Sequence, residues 1–250
     1  MAKIPIALQL YSIRTDCAKD LPGCLAAVKK MGYDGVEFAG FYGRTAQDLR
    51  KMLEDNGLKV AGTHIGLDTL LGEQFEKSVE FHKGIGNKYL IVPGLAENRR
   101  TSAQAWHETA KIFNEIAAKL KPNGMFTGYH NHTIEFKAMD GEVPWDIFFG
   151  NTVPEVVMQV DTGHVLRAGG DPIAVADKYP GRAKTVHLKE FSAKNPKALI
   201  GEGDMKWTDW FTWCETKGGT EWYIVEQETY PDEPMKCVEM DLQKLREMGK

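Results

Sequence analysis

The stretch IPIALQLYSIRTDC, Ile4 to Cys17, decides the fold. Its first half is a short apolar run with the β-branched content of a strand. Its second half turns polar without a glycine. It therefore lacks the Gly-x-Gly-x-x-Gly turn that opens a doubly wound nucleotide-binding sheet after the first strand. Seven comparable runs follow: GVEFAG (35–40), KVAGTHIG (59–66), KYLIVPG (88–94), MFTGYHNH (125–132), VVMQVDTGH (156–164), KTVHLKEF (184–191) and EWYIVEQE (221–228). They start roughly 25–40 residues apart, the length of one strand, one helix and two loops. Being near-continuously apolar, they read as strands buried on both faces, as in a parallel sheet.

The intervening segments have helical spacing. Leu21, Cys24, Leu25, Val28 and Met31 form one stripe, stopped by Gly32. Leu49, Met52 and Leu53 form another before Asn56-Gly57, and the longest runs from Trp106 to Leu120 before Pro122-Asn123-Gly124. A last helix is predicted at about 235–248. Glycine just past a helix is the expected left-handed cap. Eight repeats of strand then helix predict an α/β fold, a single (β/α)8 TIM barrel, with residues 1–250 as one domain.

Composition narrows the function. The formal charge is −4 and no long Lys/Arg run is present, so nothing favours a polyanionic partner such as nucleic acid. No stretch approaches the ~20 apolar residues of a membrane span. Cys17, Cys24, Cys214 and Cys237 form no Cys-x-x-Cys pair and read as thiols of a reducing compartment, so a cytoplasmic location is expected.

Barrels place their reactive groups at the C-terminal ends of strands. Here those ends carry Gln9 and Tyr11; Glu37; His64; His130, Asn131, His132 and then Glu135; Gln159, Asp161 and His164; His187, Lys189 and Glu190; Glu226 and Glu228. The fourth run ends without a reactive group, at Pro93-Gly94. Five of the seven histidines fall at these ends; His82 and His107 lie in helical segments. Singly, a strand-end histidine is more often structural than a ligand, and an Asp before Thr-Gly is often a turn. Together, Asp161, Glu226, Glu37, Glu135 and Glu228 crowd one barrel mouth. Buried carboxylates need partners, and Lys189 alone cannot neutralise them, whereas a divalent cation can. Carboxylates with an imidazole suit Mn, Mg, Co or Zn, and no thiolate is near in sequence.

At these residues the chain resembles the xylose isomerase-like TIM-barrel superfamily, the sugar phosphate isomerase/epimerase group. The resemblance covers essentially the whole chain through LQLYSIR, GYDGVEFAG, YHNHTIEF, VDTGH with AGGDP, VHLKEF, GEGDMKW and WYIVEQE. It implies one divalent metal held by a carboxylate, an Asp, a His and a Glu from strands five to eight. Three transfer directly: Asp161, His187 and Glu226. The first does not, because the fifth strand ends Tyr129-His130-Asn131-His132 where the group's epimerases have a Glu. Glu135 is the favoured ligand and His130 the alternative. The resemblance also implies that His164 contacts substrate, and that Glu226 and Glu135 act as the acid/base pair. Should Glu135 not reach, His130, His132, His64 and Lys189 are the other candidates. Glu37, His64, His132 and Glu228 are expected to line the substrate.

The chemistry expected is isomerisation or epimerisation of a small carbohydrate or keto-sugar through an enediolate. Departure of a β-hydroxyl from the same enediolate would make a dehydratase or lyase. An abasic-site endonuclease of the same barrel type would need a histidine after strand four, where Val92-Pro93-Gly94 stands, and an Asp-x-His in place of Gly201–Lys206. A non-catalytic sugar-binding barrel would not be expected to keep Asp161, His187 and Glu226 together. Tyr11, Phe38, Phe41, Trp207 and Trp222 are candidate sugar-stacking or packing residues, and Gly201–Asp204 a candidate loop over the substrate. The expected partner is a small carbohydrate, with room for a homodimer.

Overall fold

Each apolar run contains a strand, and each strand is shorter than the run that marks it. The computed structural model describes residues 3–250. The strands are β1 (Ile6–Gln9), β2 (Gly35–Phe38), β3 (Lys59–His64), β4 (Tyr89–Val92), β5 (Phe126–His130), β6 (Val157–Gln159), β7 (Thr185–Leu188) and β8 (Trp222–Val225). All pair in parallel, in the order β6-β5-β4-β3-β2-β1-β8-β7. The two ends of this order meet at a parallel bridge between Asp161 and His187, where the His187 N–H donates to the Val160 carbonyl at 2.9 Å. The result is a nearly closed (β/α)8 TIM barrel, as the sequence predicts.

The helices follow as α1 (Arg14–Met31), α2 (Ala46–Asn56), α3 (Gln74–Gly84), α4 (Ala103–Leu120), α5 (Pro144–Gly150), α6 (Thr162–Arg167), α7 (Pro172–Ala176), α8 (Trp207–Trp213) and α9 (Pro234–Glu247). Gly32 ends α1 at φ 103° and Gly57 ends α2 at φ 60°, conformations a side chain would strain. Among the described residues, no helix is long and apolar enough to cross a membrane. All four cysteines are free and buried.

Strand alternation sorts the side chains into two populations. Outward residues such as Leu8, Val36, Leu90, Tyr129, Met158 and Val186 join the main core under the helices. Inward residues Ala7, Ala61, Tyr89, Ile91, Val157, Trp222 and Ile224 pack together as an apolar floor. Trp222 thus belongs to the barrel interior. One step further along the same inward rows, the floor gives way to polar groups: Gln9, Glu37, His130, Gln159, His187 and Glu226, all buried. Gly62 makes room for this layer, since a Cβ there would lie 2.7 Å from Glu37 Oε1.

Candidate metal centre and active site

The seam that closes the barrel also organises the polar layer. Asp161 follows β6 and caps α6, its Oδ1 accepting the His164 N–H at 2.7 Å. His187 sits opposite on β7. Its Nδ1 lies 2.8 Å from Glu226 Oε2 and 3.9 Å from Asp161 Oδ2, while its Nε2 lies 2.6 Å from Glu37 Oε2. His130, Asp161, His187 and Glu226 each offer one ligand atom, and those atoms all lie within 4.8 Å of one another.

The remaining partners set the roles of these atoms. Gln159 gives its amide N–H groups to Glu37 Oε1 at 2.8 Å and Thr185 Oγ1 at 2.9 Å. Its Oε1 therefore faces two ring nitrogens, His130 Nδ1 at 3.1 Å and His64 Nε2 at 2.7 Å. Both must donate, which leaves the lone pairs on His130 Nε2 and His64 Nδ1. Gln9 Nε2 donates to Glu37 Oε2 at 2.7 Å, so Glu37 is anchored from two strands as well as by His187. Gln9 and Gln159 stand at strand ends in the sequence, but nothing there assigns them a part. The signal is their inward parity, shared with Glu37 and His187.

Electrostatics separate the histidines. Burial works against a charged His187, but Glu37 and Glu226 on either side outweigh it and raise its pKa to about 10. Burial, with the neighbouring His187 and His64, holds His130 well below its ordinary value, so that ring is neutral. Burial also lowers His64 against the opposing pull of Glu37. Glu226 is buried, yet Lys189 and His187 keep its carboxyl well below the usual range.

Lys189 projects into the same cluster. Its Nζ is 2.7 Å from Glu228, 3.1 Å from Glu226, 3.2 Å from Asp161 and 3.0 Å from His164 Nε2. Asp161 Oδ2 remains buried without a hydrogen-bond partner among the described residues. The 3.2 Å approach of Lys189 is therefore an ion pair without hydrogen-bond geometry, which balances charge but leaves the oxygen's hydrogen-bonding capacity unused. A carboxylate oxygen in that state, beside a neutral imidazole lone pair, a second carboxylate and His187 Nδ1, fits a divalent cation. Glu37 behind His187 supplies the carboxylate–histidine support typical of such sites.

Glu135 lies elsewhere. It belongs to the turn Ile134–Phe136, and its oxygens accept from Tyr129 Oη at 2.7 Å and the His132 N–H at 2.8 Å. Tyr129 points outward into the core under α4 and α5, and Glu135 folds back onto it. The sequence favours Glu135 as fourth ligand, but the structure brings His130 into the group.

Two cavities open at the barrel mouth. One, of about 280 Å³, lies over the metal group between Tyr11, His64, Pro93, His130, His132 and Glu226. Pro93 belongs to the Val92-Pro93-Gly94 stretch that offers no histidine after strand four. The other, of about 330 Å³, is reached past His132 and Glu228, which line both. Tyr11 alone of the five candidate stacking aromatics lines the first cavity; it is 41% exposed, whereas Phe38, Trp207 and Trp222 are buried. Phe41 packs on Phe81 and His82.

The sequence profile of the xylose isomerase-like TIM barrel matches residues 25–248. The chain belongs to that family. It is 25% identical over 246 residues to an inosose dehydratase of Clostridium tetani, covering 83% of this chain and 82% of the relative. A sugar phosphate isomerase/epimerase from Parabacteroides distasonis has a solved structure with TM-score 0.86 at 23% identity, covering 98% of this chain and 97% of that one. A second from the same organism has TM-score 0.83 at 27% identity, covering 98% of both chains. The relatives thus include sugar-modifying isomerases and dehydratases, and the family, with the group of His130, Asp161, His187 and Glu226, is compatible with a metal.

Proposed function

We propose that this protein is a divalent-metal-dependent isomerase or epimerase that acts on a small keto-sugar by moving the proton next to its carbonyl. The observation that carries the reading is the group His130, Asp161, His187 and Glu226, with an Asp161 oxygen that accepts no hydrogen bond among the described residues, beneath an open cavity. These four residues would hold the ion. When bound, it would supply the positive charge that stabilises an enediolate.

The chain's own groups divide the rest. Glu226 gives up its proton too readily to be a good base at rest, which suits a ligand. His64 lines the cavity as a neutral ring with its Nδ1 lone pair free, which suits the group that takes the α-proton. His132 lines the same cavity and returns a proton to the neighbouring carbon or the other face. Lys189 presents its ammonium to a substrate oxygen at the boundary of the two cavities. His164, Glu228 and Glu37 orient Lys189 and His187.

A second reading, dehydration, draws on a specific observation. With His130 in place of a carboxylate, the pair of metal-bound glutamates expected of an epimerase is incomplete. His132, His164 and Lys189 instead gather on one side, where they could protonate a departing β-hydroxyl. Inosose dehydratases among the relatives add support.

Incubation of the metal-loaded enzyme with keto-sugars in D₂O tests the proposal. Solvent deuterium should enter the carbon next to the carbonyl. Recovery of an epimer or isomer supports the first reading, and loss of water supports the second. Absence of exchange with every keto-sugar would contradict both.

A further inference from the structure

The cavity over the metal group is only part of the space at the barrel mouth. Each cavity alone sits near the low end of the ~300–1,000 Å³ range of ligand pockets. One keto-sugar ring has no need of both. We propose that the second cavity is a binding subsite for a ring attached to the reacting sugar, so that the substrate is a glycoside rather than a free monosaccharide. This rests on the proposed function and adds its substrate class.

The wall of the second cavity is built for a fixed shape. The segment after β7 wraps a single carboxylate. Glu190 accepts from the backbone N–H of Phe191 at 3.0 Å, Gly201 at 2.8 Å and Met205 at 3.2 Å, and from Trp207 Nε1 at 2.8 Å. The Asp204 N–H closes the wrap onto the Phe191 carbonyl at 2.7 Å. Gly203 lies so close that a Cβ would come 2.2 Å from that carbonyl oxygen. The Gly201–Asp204 stretch is therefore tied to Glu190 and Phe191, which line the cavity, without lining it itself. Four donors on one buried carboxylate make a rigid hub, and preorganisation of this kind lowers the cost of binding.

What the wall presents matches a sugar or aryl ring. Phe191 is half-buried and lines the cavity, with the Arg167 guanidinium 5.9 Å from its ring centroid. Aromatic faces take the C–H face of a sugar or another ring. Lys189 is matched by three carboxylates and Glu190 by four N–H groups. Arg167, Thr133 and Asn195 remain as donors for hydroxyls. His132 and Glu228 stand between the cavities, where the linking oxygen would pass.

The test is binding, read by calorimetry on metal-loaded, full-length protein with glucose, galactose and mannose, each paired with its phenyl glycoside. At least one phenyl glycoside should bind about tenfold more tightly than its free sugar, the scale of one ring's stacking contact. Phe191→Ala should remove that difference. No preference in any pair, or a preference that survives Phe191→Ala, would overturn the subsite. Solvent-deuterium exchange separates the two proposals. Exchange without glycoside preference sinks the subsite alone, and glycoside preference without exchange sinks the proposed reaction alone.

Discussion

His187 Nε2 lies 2.6 Å from Glu37 Oε2, and both side chains are completely buried. The contact joins β2 to β7 across the barrel interior and points the other ring nitrogen, Nδ1, at Glu226 and Asp161. Glu37 therefore acts on the candidate metal through His187. Replacing Glu37 by Gln keeps the shape but removes the charge. Metal affinity should fall by about 10–100-fold, as for other outer partners of ligating histidines. A metal titration of purified Glu37→Gln checks this, and unchanged affinity would remove Glu37 from the site.

The same contact predicts a pH dependence. In the metal-free protein His187 carries a proton up to about pH 10, because Glu37 and Glu226 outweigh the effect of burial. An ion on Nδ1 must displace that proton, so binding releases protons and affinity rises with pH. Between pH 6 and 9 the affinity should rise by about tenfold per pH unit, with roughly one proton released per ion. Calorimetry in buffers of different ionisation enthalpy measures that number. A pH-independent affinity would exclude His187 as a ligand.

Lys189 is predicted to have opposite effects on binding and turnover. Its ammonium stands 3.1 Å from Glu226 and 3.2 Å from Asp161, so it opposes a second cation there. Lys189→Met should bind the divalent ion several-fold more tightly and, at saturating metal, turn over at least about tenfold more slowly. Weaker metal binding in this variant would show that Lys189 organises the ligands instead.

Asp241 gives a prediction about stability. It is buried on α9, where its Oδ1 accepts the Ile200 N–H at 2.8 Å and its Oδ2 has no hydrogen-bond partner among the described residues. Burial raises its pKa from 3.8 to about 7, with Glu190 and Glu202 adding to the rise. From pH 4 to 7 the unfolded chain releases this proton while the folded chain keeps it, so the group lowers stability as pH rises. Asp241→Asn lacks the effect. Urea unfolding should show the variant gaining on the parent by as much as about 4 kcal/mol between pH 4 and 8. A difference that does not change with pH would contradict this.

The barrel was legible because eight apolar runs recur at the spacing of strand-helix units. Parity made most of the site legible as well. Gln159 and Asp161, His187 and Lys189, and Glu226 and Glu228 are each two residues apart, so each pair shares one inward row. The same rule places His130 inward and Tyr129 outward, and it is the signal in the sequence that separates His130 from Glu135. What the sequence does not contain is the path of the turn after β5, which sends Glu135 back to Tyr129. Gln9 and Gln159 were equally hidden, because an amide shows its use only once its neighbours are known. The wall around Glu190 depends on glycine spacing and backbone donors more than ten residues away in the chain.

Metal content per chain tests the central claim most directly, measured for the parent, His130→Ala and Glu135→Gln after reconstitution with Mn. The parent and Glu135→Gln should each hold close to one ion, and His130→Ala should lose most of it. An ion retained at full occupancy in His130→Ala, or lost in a folded Glu135→Gln, would contradict the site described.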